Sequence, residues 1–117
     1  MDLQKIYAEI EQFTQERDWD QFHSVKNLAM ALNVEASELL EIYQWISEAE
    51  SNELHQDSKL KTRIEDEIAD IFIYLLRIIK KTDTNLEVAV KNKMQKNREK
   101  YPVELSRGSA KKYDELK

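Results

Sequence analysis

Leu3, Ile6, Tyr7, Ile10 and Phe13 recur at intervals of three and four, with polar residues filling the turns between them. That period predicts a first helix over about residues 2–16, interrupted at 18–22 by DWDQF, a short aromatic connector. Ser24 is a candidate N-cap for a second helix, which carries Leu28, Leu32, Leu39, Ile42 and Trp45 to about residue 48. The polar run SEAESNELHQDS at 47–58 ends it and predicts a loop. Leu60, Ile64, Ile68, Ile71, Leu75 and Ile78 then mark a third helix over about 59–81. After KTDTNL, with Thr84 as the expected cap, a fourth helix follows over about 85–99. Tyr101-Pro102 stops it, because proline disfavours helical geometry in the residue before it. Residues 100–117, with the only glycine at 108, are expected to be a tail that wraps over the helices or stays mobile. Two long helices joined by a polar loop make an antiparallel hairpin, and the pattern as a whole predicts an all-α fold, one domain over 1–117, with that hairpin at the centre of a four-helix bundle.

The apolar stripes have an acidic interruption. Leu28, Ala31, Glu35, Glu38, Ile42 and Trp45 share one face of the second helix, and Leu60, Ile64, Glu67, Ile71, Tyr74 and Ile78 share one face of the third, with Asp70 one turn from Glu67. In an antiparallel hairpin the middles of the two stripes meet. Glu35, Glu38, Glu67 and Asp70 are therefore expected at one level, where unpaired buried charges cost several kcal/mol each, roughly, unless a cation joins them. The neighbouring stripe positions are apolar or aromatic, and Arg63 and Arg77 lie near the ends of the third helix. A bound cation is the other answer, and the alternative is that the stripe is rotated slightly so that these acids lie on a solvated face. Oxygen donors without His or Cys suit a hard ion, Mg²⁺ or Mn²⁺. A di-iron carboxylate site would want Glu-x-x-His on two helices, and neither His23 nor His55 stands three residues after a glutamate.

Composition narrows the picture further. One Gly, one Pro and 35% charged residues leave little turn chemistry for a β fold, and the absence of cysteine removes disulfides and thiolate sites and suits a reducing cytosol. The acidic, amphipathic start does not read as a signal peptide, and the longest apolar run, IFIYLL at 71–76, is far short of a membrane span, so a soluble, cytoplasmic protein is expected. Residues 1–90 carry 9 Lys/Arg against 19 Asp/Glu, whereas residues 91–117 carry 9 against 4. A basic end beside an acidic body is either a solvated last helix or a source of cations for an anionic ligand. Overall charge of −5 and the lack of a long basic face argue against nucleic-acid binding.

At these residues the chain resembles the MazG-like all-α nucleoside triphosphate pyrophosphohydrolases, whose signature of ExxE on one helix and ExxD on the next is matched by Glu35-Ala-Ser-Glu38 and Glu67-Ile-Ala-Asp70. It is most similar to the dCTP pyrophosphatase branch through RDWDQFH at 17–23, Asn27-Leu28, Gln44-Trp45, DIFIYL at 70–75 and KMxxNRxxYP at 93–102. The resemblance implies metal-dependent cleavage between the α and β phosphates of a nucleotide, to monophosphate and pyrophosphate. It implies Glu35, Glu38, Glu67 and Asp70 as Mg²⁺ (or Mn²⁺) ligands and catalytic residues. Lys93, Asn97 and Arg98 would meet phosphates, and Trp19, Phe22, His23, Asn27, Trp45 and Tyr74 would surround the base. Where animal members carry a histidine on the first helix, the matching position here is Ile10, which puts a cytosine preference in doubt. The exposed apolar stripe expected of one protomer points to a homodimer or homotetramer. The reading from another class is a non-catalytic helical adaptor that binds a basic partner through its acidic stripe, and the rivals within the enzyme class are hydrolysis of dUTP or phosphoribosyl-ATP on a related bundle.

Overall fold

The computed structural model describes residues 1–115, and its regular structure is helical throughout them. They fall into two units, residues 1–83 and the residues from Thr84 onward.

In the first unit, Asp2 caps α1 (Leu3–Glu16), its carboxylate accepting from the amides of Gln4 and Lys5 at 3.1 Å. The helix stops where Asp18 takes a left-handed backbone (φ 51°), and the Trp19 amide turns back to the Thr14 carbonyl at 3.1 Å. A 3₁₀ turn, Asp20–Phe22, closes the connector. Ser24 caps α2 (Val25–Tyr43) as expected, accepting from the Asn27 amide at 3.1 Å.

Helix α2 ends about five residues before the sequence pattern predicts, and Trp45 lies in the turn beyond it rather than on its apolar face. The cause is local. Ser47 and Glu50 form a reciprocal capping box, with the Glu50 amide donating to Ser47 Oγ at 3.1 Å, and this nucleates a separate short helix, α3 (Glu48–Ser51), inside the stretch whose polarity predicts a loop. A 3₁₀ turn at Leu54–Gln56 leads to Asp57, which caps α4 (Ser58–Lys81) through the amides of Lys59 and Leu60.

Helix α4, with 24 residues, is about 36 Å long and forms the antiparallel hairpin with α2. Its seam is thin. Leu28, Ile64, Leu76 and Ile79 are the buried apolar side chains among the described residues, each worth roughly 2 kcal/mol of burial. Met30, Val34 and Leu40 of α2 are all more than half exposed.

The second unit begins with Asn85, not Thr84, as the cap, because the Asn85 side chain accepts from the Val88 amide at 3.1 Å. Helix α5 (Leu86–Lys100) ends before Pro102 as expected, and the segment beyond it contains a one-turn helix, α6 (Val103–Ser106), and a 3₁₀ turn at Tyr113–Glu115. All four long helices that the hydrophobic pattern predicts are present.

Candidate metal centre and adjoining cavity

The three-residue step from Glu35 to Glu38 sets both carboxylates on the same side of α2, and Glu67 comes from the middle of α4. One oxygen from each of these three glutamates lies within 4.8 Å of the others. Glu35 Oε2 and Glu67 Oε2 are shut away from solvent without a hydrogen-bond partner. Among the described residues no Lys, Arg or His forms an ion pair with the three.

Electrostatics record the same deficit. Burial, then hydrogen-bonding contact with Glu67 and Glu38, then the charges of Asp70 and Glu38 push the Glu35 carboxyl up to about 7. Burial is also the main reason that Glu67 is raised, with the charges of Glu38 and Asp70 adding to it, while its hydrogen bond with Glu35 works the other way. Glu35 is thus the member of the cluster that its surroundings keep protonated to the highest pH, up to about 7. Burial and the charges of Glu35, Asp70 and Glu38 raise the nearby Tyr74 hydroxyl as well.

Asp70 departs from the expectation of four acids meeting together. The converging set is three glutamates, and Asp70, a turn further along α4, faces a neighbouring cavity while its charge still bears on Glu35 and Glu67. Half-buried carboxylates with orphaned oxygens and no protein cation fit a hard divalent ion, Mg²⁺ or Mn²⁺, which takes oxygen ligands and retains water.

The cavity has a volume of about 610 Å³ and lies wholly within the first unit, between α1, the connector and α4. Its walls are largely aromatic and aliphatic. Ile10 and Phe13 come from α1, Trp19 and His23 from the connector, and Asp70, Phe72, Tyr74 and Arg77 from α4. Trp19 meets Phe13 edge to face, with ring centroids 5.7 Å apart. Burial lowers the His23 pKa, and the charges of Arg77 and Lys81 add to that, so His23 is neutral at pH 7 with a buried, unpartnered Nδ1.

Of the residues that the family resemblance places around a base, Trp19, His23 and Tyr74 line this cavity. Phe22 does not and is 60% exposed. Asn27 spends its side chain on the connector, donating from Nδ2 to the Phe22 carbonyl at 2.9 Å. Trp45 is 88% exposed and also lies outside the lining. Lys93 and Arg98 are exposed and Asn97 half-buried on α5 in the second unit. Sequence reasoning missed Arg77, whose partners lie 57 and 66 residues away in the chain.

The chain matches the MazG-like family model over residues 30–116. It is 43% identical to rat and 37% identical to human dCTP pyrophosphatase 1, each over 115 residues, 98% of this chain. The chain spans 66% of the length of those relatives, just under two thirds. Among solved structures it is similar to a pyrophosphatase from Archaeoglobus fulgidus, with a TM-score of 0.77 and 40% identity, covering 85% of this chain and 91% of that one.

Proposed function

Because this chain belongs to the MazG-like family, we propose that it is a metal-dependent nucleoside triphosphate pyrophosphohydrolase, acting on dCTP or a related deoxynucleotide to release the monophosphate and pyrophosphate. The observation that carries this reading is the meeting of Glu35, Glu38 and Glu67, unpaired with any Lys, Arg or His among the described residues, beside a cavity walled by Trp19 and Tyr74.

In this reading Glu35, Glu38, Glu67 and Asp70 hold Mg²⁺ or Mn²⁺. When bound, such an ion neutralises phosphate charge and lowers the pKa of a coordinated water. The glutamates fix where that ion sits, and the elevated pKa of Glu35 makes it the group that gives up a proton as the ion enters. Asp70 stands at the boundary between the acidic cluster and the cavity, the place for the phosphate end of a nucleotide whose base lies among Trp19, His23 and Tyr74. Aromatic faces bind a base by stacking, worth roughly 1–3 kcal/mol each, without choosing strongly among bases. Ile10 lines the same cavity and offers no hydrogen bond, which supports a broader base preference than one for cytosine alone. Lys93, Asn97 and Arg98 are the proposed partners of the outer phosphates.

A homodimer or homotetramer is part of the proposal, since the thin core leaves Met30, Val34, Leu40 and Trp45 uncovered in one copy. No helix among the described residues is long and apolar enough to cross a membrane.

The deciding experiment incubates the protein with each deoxy- and ribonucleoside triphosphate, with Mg²⁺ or with chelator, and resolves the products. Metal-dependent monophosphate and pyrophosphate are expected, with the deoxynucleotides ranked first. Diphosphate and phosphate as products, or no turnover by the folded protein, would reject the reaction.

A further inference from the structure

Arg77 is 2% exposed on α4 and lines the cavity. Its two terminal nitrogens reach separate elements: Nη1 donates to Glu11 of α1 at 3.3 Å, and Nη2 donates to Asp20 of the connector at 2.8 Å. Lys81, one turn further along α4, backs Asp20 from 3.1 Å. Asp20 in turn stands next to Trp19, and its carbonyl accepts the His23 amide at 3.0 Å. The guanidinium is thus the point where all three walls of the cavity are joined.

Its charge is already committed. With one carboxylate on each terminal nitrogen and only its buried Nε–H left without a partner, Arg77 has its charge answered within the protein and is a poor direct partner for a phosphate, although it lines the cavity. Nor is apolar packing enough to fix the walls, because Thr14 is the only residue of α1 that is fully buried. A forked guanidinium that holds two carboxylates in fixed directions is a stiff, directional tether between separate elements.

We infer that Arg77 is a positioning residue for substrate recognition: by clasping Glu11 and Asp20 it holds Trp19 and His23 at a set distance from α4 and so fixes the width of the cavity that takes the base. The substrate in this inference rests on the proposed nucleotide hydrolysis. The clasp itself does not.

The test compares the intact chain with Arg77→Met, which preserves bulk without charge, and with Arg77→Lys, which can reach one carboxylate but not both. Arg77→Met is expected to stay folded, to raise KM for the best nucleoside triphosphate about tenfold, and to change kcat less than about twofold, since the acidic cluster is untouched. Arg77→Lys should recover part of the loss. A second readout is free of turnover: with Trp45→Phe in place, Trp19 is the only tryptophan, and adding Arg77→Met should make it more accessible to acrylamide quenching. Unchanged KM and unchanged quenching in a folded Arg77→Met protein would overturn the inference, as would a fall in kcat at constant KM. Should Arg77→Met fail to fold, Asp20→Asn, which removes one charge of the clasp at constant shape, carries the same expectations and the same ways to fail. An intact protein that turns over no nucleotide refutes the reaction, and the quenching comparison then decides the clasp alone.

Discussion

Ten residues of α4 separate Glu67 from Arg77, about 15 Å along the helix, and the two sit in opposite electrostatic circumstances. Around Glu67 three carboxylates converge, two of their oxygens are buried without partners, and no Lys, Arg or His among the described residues pairs with them. Around Arg77 a single buried cation is answered by two carboxylates, and a lysine supports one of those. The first cluster carries charge that its surroundings leave unanswered and so suits a cation, whereas the second has its charge answered, with only the Arg77 Nε–H left without a partner, and acts on the fold around it. Charge compensation, rather than the number of charged groups, separates a binding site from a tether.

The largest expected effect comes from removing a charge at the uncompensated cluster. Glu38→Gln should cut metal-dependent turnover on the order of 10³-fold, since a lost ligand forfeits several kcal/mol of charge stabilisation in the transition state. The same change should leave the Tm of the metal-free protein equal or higher, because it relieves repulsion. Thermal unfolding in chelator checks this, and a clear fall in Tm would mean that the cluster has a compensating partner after all. At the tether the sign reverses, so that Glu11→Ala combined with Asp20→Ala should lower Tm by leaving Arg77 buried and alone, while Arg77→Met changes it little.

Metal addition comes next. Mg²⁺ at about a hundred times its Kd should stabilise the folded protein by about 2.7 kcal/mol, an increment that Glu35→Gln abolishes and Arg77→Met retains. Differential scanning calorimetry with and without the ion distinguishes the two variants.

Proton linkage gives a smaller and more specific contrast. In the folded, metal-free chain Glu35 titrates near 7, above the ordinary carboxylate value of 4.5, so between those values the folded state holds a proton that the unfolded state releases. Stability of the metal-free protein should therefore decline as pH rises from about 4.5 to about 7, then level off, and the decline should flatten in Glu35→Gln. Apparent Mg²⁺ affinity should climb over the same window, because the ion displaces that proton. Denaturant titrations at a series of pH values would show it.

The smallest effect is expected on α5. Lys91 forms an exposed i,i+4 pair with Glu87 at 3.1 Å, and Lys91→Ala should change stability by less than about 0.5 kcal/mol and leave KM unaltered. Arg98→Ala should raise KM if this helix serves the triphosphate, and steady-state kinetics on the two variants side by side would establish whether α5 takes part in binding.

The uncompensated cluster was the legible one. A carboxylate at every third position inside an apolar stripe is a local signal, and an antiparallel hairpin carries it into three dimensions with no further information. Glu35, Glu38 and Glu67 follow directly, and so do the caps at Ser24 and the stop before Pro102. The tether could not be read this way. Arg77 lies near the C-terminal end of α4, where a basic residue ordinarily meets solvent, and its burial depends on Glu11 and Asp20, whose approach is a tertiary event. Asp70 sits between these cases: its spacing from Glu67 was plain, but whether it joins the triad or faces the cavity depends on a rotation of about one residue in α4. The capping box at Ser47 was legible and competes with the hydrophobic period, which continues through Trp45 and so overstates the length of α2.

The thin seam between α2 and α4 has a consequence for handling the protein. A fold with Leu28, Ile64, Leu76 and Ile79 as the buried apolar side chains among the described residues, and with Met30, Val34 and Leu40 left open, would draw much of its stability from the proposed association with other copies. Dilution then acts as a denaturant: the midpoint of thermal unfolding should fall as the protein is diluted, and any activity measured at nanomolar enzyme would report the assembly equilibrium as much as the chemistry.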